Sequence, residues 1–208
     1  MKKLIFCLSV LACLFMMSCS CEKNKPVDNQ TLEGDSIGLN VENVTGMDRQ
    51  KMFQDYGKDY RWFETCIVLK DYLDSEECDG TVTGISNIFQ VVVEKDKGSD
   101  VHVVMFTHVG DSTQVDVVDS FWVEDFPMNE DAIKLTFKDA YDRVMAANAP
   151  KPHSRQVVLR KEVGPNPINP QYIFGNQTAQ LYVDAVTGDV KTKNPAFPDN
   201  MTLQKVQW

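Results

Sequence analysis

The chain opens on an uncharged apolar run, Leu4 to Met17 (LIFCLSVLACLFMM), behind a positive Met1-Lys2-Lys3 start. Residues 20–45 then turn polar, with Pro, Gly, Asn and Asp scattered through them and no sustained apolar period, the pattern of a flexible tether. Met52, Phe53 and Tyr56 recur at helical spacing and predict a short helix from Met47 to about Tyr60, with Gly57 a natural stop. From there the period falls to two. Trp62–Tyr72, Thr81–Lys95, Val101–Val109 and Gln114–Val123 are rich in β-branched and aromatic residues and are separated by turn-forming stretches such as KDKGSD. Short links between consecutive strands imply an antiparallel meander.

A helical period returns at Phe137, where Ala140, Tyr141, Val144 and Met145 continue one apolar stripe. Thr136 and Asp139 have the spacing of a capping box at its start, and Pro150 and Pro152 stop it. Strands are predicted at Gln156–Val163, Tyr172–Gly175 and Ala179–Ala185, with a last short one at Val190–Thr192. Each half thus reads as a helix with several strands. The expected fold class is α+β, built from two helix-on-antiparallel-sheet units at 46–128 and 129–193, with a tail over 194–208.

The leading run is shorter than the roughly 20 apolar residues a membrane-spanning helix requires, and it suits the core of a signal peptide. At its end Met16-Met17-Ser18-Cys19 resembles a lipobox, with Met16 where that pattern prefers Leu. The resemblance implies that residues 1–18 are a lipoprotein signal peptide and that residues 19–45 tether the folded part to the membrane. Cys19 would carry the diacylglycerol, and its freed amine a further acyl chain. Several acyl chains at about 0.8 kcal/mol per buried CH₂ make a stable hold on a bilayer. The expected location is the cell envelope, at the outer membrane.

Gln180 to Val190 (QLYVDAVTGDV) resembles the closing signature of PepSY domains, in which a strand ending Val-Asp-Ala passes through Thr-Gly into a last strand. The likeness covers about residues 130–193, and the proline-rich Gly164–Pro170 insert departs from it. It implies a small helix-on-sheet domain, often exported and in some members binding or inhibiting peptidases, with no catalytic residues. Asp184 and Thr187 are suited to satisfying turn amides, and Gly188 to supplying a positive φ. The tandem order of elements is also similar to that of secreted β-lactamase inhibitor proteins.

Composition narrows the partners. A net charge of −9, with no basic stripe, argues against nucleic acid. His102 and His108 lie six residues apart on one strand, roughly 20 Å, too far to share a metal. The acids from Asp111 to Asp131 lack the spacing of a calcium loop. No nucleophile elbow, zincin helix, phosphate loop or dinucleotide fingerprint occurs, so neither an enzyme nor a cofactor is expected. Cys66 and Cys78 are either a short-loop disulfide or two separate thiols. Asp35-Ser36-Ile37 and Asp111-Ser112-Thr113 resemble the O-glycosylation acceptor of Bacteroides-type bacteria, which makes Ser36 and Ser112 candidate modification sites. Of the aromatics Trp62, Phe121, Trp122, Phe126 and Trp208, most are expected in the core, with Trp208 needing a docking surface. The leading functional expectation is a non-enzymatic envelope lipoprotein that binds a protein or peptide, a peptidase among the candidates. The alternative is a small-ligand or glycan-binding surface module.

Overall fold

A computed structural model of the chain describes residues 38–95 and 98–198. Cys19, Ser36, Trp208 and most of the tether lie outside them. The first helix, α1, spans Val41–Tyr56 and starts six residues earlier than the apolar pattern predicts. Asn40 caps it, its side chain accepting from the Asn43 amide at 2.8 Å, and Gly57 ends it at φ 68°. Its inward face carries Val41, Val44, Thr45, Asp48 and Met52, so polar side chains occupy the middle of the buried stripe. Of the residues that suggested the stripe from sequence, Met52 is buried and Phe53 is exposed, as is Met47 at the expected start.

The strands follow as β1 (Tyr60–Leu69), β2 (Val82–Lys95), β3 (Gly98–Val109), β4 (Ser112–Val118) and β5 (Asp125–Phe126). A single 3-10 turn at Glu130–Ala132 leads to helix α2 (Phe137–Ala146), then β6 (Gln156–Glu162), β7 (Gln171–Asn176), β8 (Ala179–Asp184) and β9 (Val190–Lys191). The α2 capping box is formed: Thr136 Oγ1 accepts from the Asp139 amide, and the Asp139 carboxyl accepts from the Thr136 amide. Those bonds to Thr136 hold Asp139 below the usual carboxylate range.

The expectation of two helix-on-sheet units is overturned. All nine strands described belong to one antiparallel sheet ordered β4-β3-β2-β1-β6-β7-β8-β9, with β5 pairing β6 off that path. The two halves fuse at β1 and β6, where Cys66 faces Val158 and Ile67 faces Val157. Beyond Glu64 the two strands separate, and the gap is filled by β5 on Lys161 and Glu162 and by a bridge from Met128 to Trp62. Strand β1 is buried over Trp62–Thr65 and is hydrogen-bonded on both edges, by β2 and by β6, so neither of its edges is left open.

Both helices share one core over the sheet, with Ile67, Phe89, Val104, Phe106, Val157, Tyr172 and Phe174 buried beneath Met52, Phe137 and Val144. Glu42 in the first turn of α1 accepts from the Phe137 amide at 2.6 Å and so caps α2 as well. Residues 194–198, expected as loose tail, are partly docked: Ala196 is fully buried, and its carbonyl accepts from the Asn166 amide at 3.1 Å. In the closing hairpin Asp184 Oδ1 accepts from the amides of Val186 (2.9 Å) and Thr187 (3.0 Å), and Gly188 has φ 80°.

Candidate partner-binding edge and the buried polar clusters

The sheet ends unequally. On one side β9 is two residues long. On the other, β4 offers a seven-residue edge, STQVDVV, paired to β3 in unbroken register from Val109↔Ser112 to Val103↔Val118. Among the described residues no strand pairs with its outer side. Alternate residues of such a strand direct N–H and C=O groups into solvent, ready for another strand. Several of the usual protections are missing from β4: it has no Pro, no Lys or Arg, and no bulge, and Asp116 is its single charge.

Side chains on β4 alternate between faces. Thr113, Val115 and Val117 face the helix side, because they oppose His108, Phe106 and Val104. Val115 is 50% and Val117 53% exposed, so the apolar face runs past the shelter of α1. Ser112, Gln114, Asp116 and Val118 take the other face, where Gln114 Nε2 donates to both Asp116 oxygens (3.0 and 2.9 Å). Ser112, a candidate glycosylation site, stands exposed as the first residue of this edge. Phe121, 67% exposed, and Val123 extend the apolar surface beyond the strand; Phe121 and Phe126 are therefore surface residues where the sequence suggested core. Trp62 is buried, and Trp122 is half-buried.

Two polar clusters lie inside the fold. Under α1, Asp48 accepts from Asn87 Nδ2 (2.7 Å) and from His108 Nε2 (2.9 Å to each oxygen). Asn87 Oδ1 accepts from the hydroxyls of Thr65 (2.5 Å) and Thr45 (3.1 Å), and His108 Nδ1 is 3.0 Å from the Thr113 hydroxyl. Thr113, His108 and Asp48 stand in the order of a nucleophile–base–acid relay. Asp48 and His108 are also committed to holding α1 on the sheet, and Thr113 lines neither hollow described below.

On the opposite face, Glu64, Asp125 and Glu162 surround Arg160. Arg160 is ion-paired to Glu162 and lies 3.6 Å from Glu64 and 3.7 Å from Asp125. One cation cannot balance three buried carboxylates, so the excess charge draws a proton. Burial, then Glu64, pushes Asp125 up to about 7. Asp125 Oδ2 accepts from Trp122 Nε1 (3.1 Å), and the Trp122 amide donates to Gln90 (2.8 Å), which ties the 119–128 segment across the sheet. Cys66 Sγ donates to Glu64 at 2.9 Å; burial and that carboxyl drive its thiol well above the ordinary range, the reverse of an activated nucleophile. Cys78 lies instead in the β1–β2 loop, where its carbonyl accepts from the Tyr141 hydroxyl (2.7 Å). Of the two alternatives for these cysteines, the structure holds separate free thiols, not a disulfide.

The histidines find single carboxyl partners: His102 with Asp119 (2.7 Å), His108 with Asp48, and His153 with Asp74 (3.0 Å) while stacked on Tyr72. Among the described residues no three His, Cys, Asp or Glu converge as metal ligands. A hollow of about 260 Å³ lies between α1 and the start of β1, lined by Arg49, Phe53, Tyr60, Arg61 and Trp62 among others. On its wall Arg49 sits over the Trp62 ring and ion-pairs with Glu130. A second, of about 440 Å³, lies along Lys191–Pro195 beside Asn166. Both clusters were missed from sequence, because a strand's neighbours are not written in its own residues. Comparison with protein-family models, with curated proteins and with solved structures finds no match for the chain.

Proposed function

We propose that this chain is a lipid-anchored cell-envelope binding protein, without catalysis of its own, that holds an extended protein or peptide segment along β4. The observation that supports it is the open seven-residue edge, with one charge and with Val115 and Val117 half-exposed on it. Strand addition supplies affinity through main-chain hydrogen bonds and specificity through alternate side chains. The PepSY resemblance makes a peptidase one partner class to look for. A small-ligand or glycan module ranks lower, because the aromatic hollow near Trp62 is small for that role and the larger one along Lys191–Pro195 is lined by Lys, Asn and Pro with Phe197 as its one aromatic.

The test places a photo-crosslinking amino acid at Val117 of the full chain in its own envelope. A protein crosslink that Val115→Lys abolishes, and that the same probe at exposed Lys138 on α2 does not give, supports the reading. A crosslink indifferent to Val115→Lys, or equal at both sites, refutes it. Labelled palmitate entering the wild type and not Cys19→Ala tests the anchor separately.

A further inference from the structure

The residues of β4 complement their own reverse. An antiparallel partner related by a two-fold axis perpendicular to the sheet keeps each face on its own side, so every opposed pair has one face in common. With the axis through Val115, all seven residues pair. Val115 meets Val115 of the second copy, and Thr113 meets Val117, on the helix side. Ser112 meets Val118 on the other side, where Gln114 meets Asp116. No two like charges oppose within the strand. Moving the axis to Asp116 sets carboxylate against carboxylate, and moving it to Gln114 leaves Val117 and Val118 without strand partners. Cross-strand pairs decide sheet pairing in this way: opposed apolar and complementary polar pairs stabilise, and like charges destabilise.

From this register we propose that the occupant of the β4 edge is the β4 strand of a second copy, making one continuous sheet across a two-fold dimer. The proposal rests on the reading of β4 as the recognition edge and names its partner. Three observations converge on it. The edge has no Pro, no Lys or Arg and no bulge, and its single charge, Asp116, is met by Gln114 of the second copy in this register. The exposed side chains Val115, Val117 and Val118 all lie within the paired segment. Gln114 already donates to Asp116 within one chain, and the second copy brings a further Asp116 opposite that amide, closing a symmetric four-residue ring. Asp111 and Asp119 would approach each other at the two ends. Both lie outside the strand, Asp111 in the β3–β4 turn and Asp119 paired with His102. At the far end of the sheet, two-residue β9 is too short to form an equivalent join.

Sedimentation equilibrium of the full chain in density-matched detergent tests the register. The wild type is expected to be a reversible dimer. Gln114→Asp opposes carboxylates at both symmetric positions and raises the dimer Kd roughly tenfold. Adding Asp116→Lys to that variant restores attraction at the same positions and returns Kd to the wild-type value or below. Both side chains are on the surface strand, so circular dichroism spectra stay unchanged. A dimer indifferent to Gln114→Asp overturns self-pairing, as does a variant pair without rescue. A wild type that stays monomeric up to its solubility limit also overturns it. If that monomer still gives the Val117 crosslink to another protein, the partner-edge reading survives; if it gives none, both fall.

Discussion

Asp125→Asn should make the protein more stable at pH 8 and change it little near pH 4. The carboxyl is buried beside Glu64, with Arg160 already shared among three acids. In the folded protein it titrates at about 7, against 3.8 when exposed. The folded state therefore keeps a proton that the unfolded chain has released, and between these values stability falls as pH rises. Full expression of that difference corresponds to about 4 kcal/mol, and sharing the proton with Glu64 reduces it to about 2–4 kcal/mol. Asn keeps the shape and an oxygen for Trp122 Nε1 but has nothing to ionise. The assay is urea unfolding followed by tryptophan fluorescence from pH 4 to 8, for wild type and variant. The difference between the two curves should open steadily toward pH 7 and then level off. Parallel curves, or a variant less stable than wild type at pH 8, would refute the reasoning about excess buried charge.

Other perturbations test the remaining framework. Asp48→Ala leaves Asn87 and His108 buried without their shared acceptor and should cost about 3 kcal/mol, read as a lower urea midpoint; Asp48→Asn should cost less. Gly188→Ala forces a side chain into φ 80° with its Cβ 2.4 Å from the Arg143 guanidinium carbon, and should lower stability by about 1–3 kcal/mol; an unchanged melting temperature would contradict this. Native iodoacetamide labelling at pH 8 should leave Cys66 largely unmodified until urea unfolds the chain, and rapid native labelling would show that its thiol is not raised as described. Thr136→Ala should cost about 1 kcal/mol through loss of the α2 capping box, measured by the same unfolding curves.

The individual elements are local, and the sequence carries them. The alternation through Ile85–Val93 and Val101–Val109 and the Phe137 stripe behind Thr136 each depend on residues within one turn or one hairpin. Gly57 and Gly188 mark real stops because only a residue without a side chain takes their φ cheaply. The start of helix α1 differs from the apolar pattern for a non-local reason: Thr45 and Asp48 sit on its buried face, and a hydrophobic period cannot register a polar side chain that is buried because its partners lie on β2 and β3. The pairing of β1 with β6, which turns two expected units into one sheet, joins residues about ninety positions apart. The Asp125–Glu64–Arg160 cluster follows from that arrangement. Periodicity reports which face of an element is apolar. It does not report which other element covers that face, or which edge is left bare, since those depend on how competing pairings across the whole chain are resolved by burial.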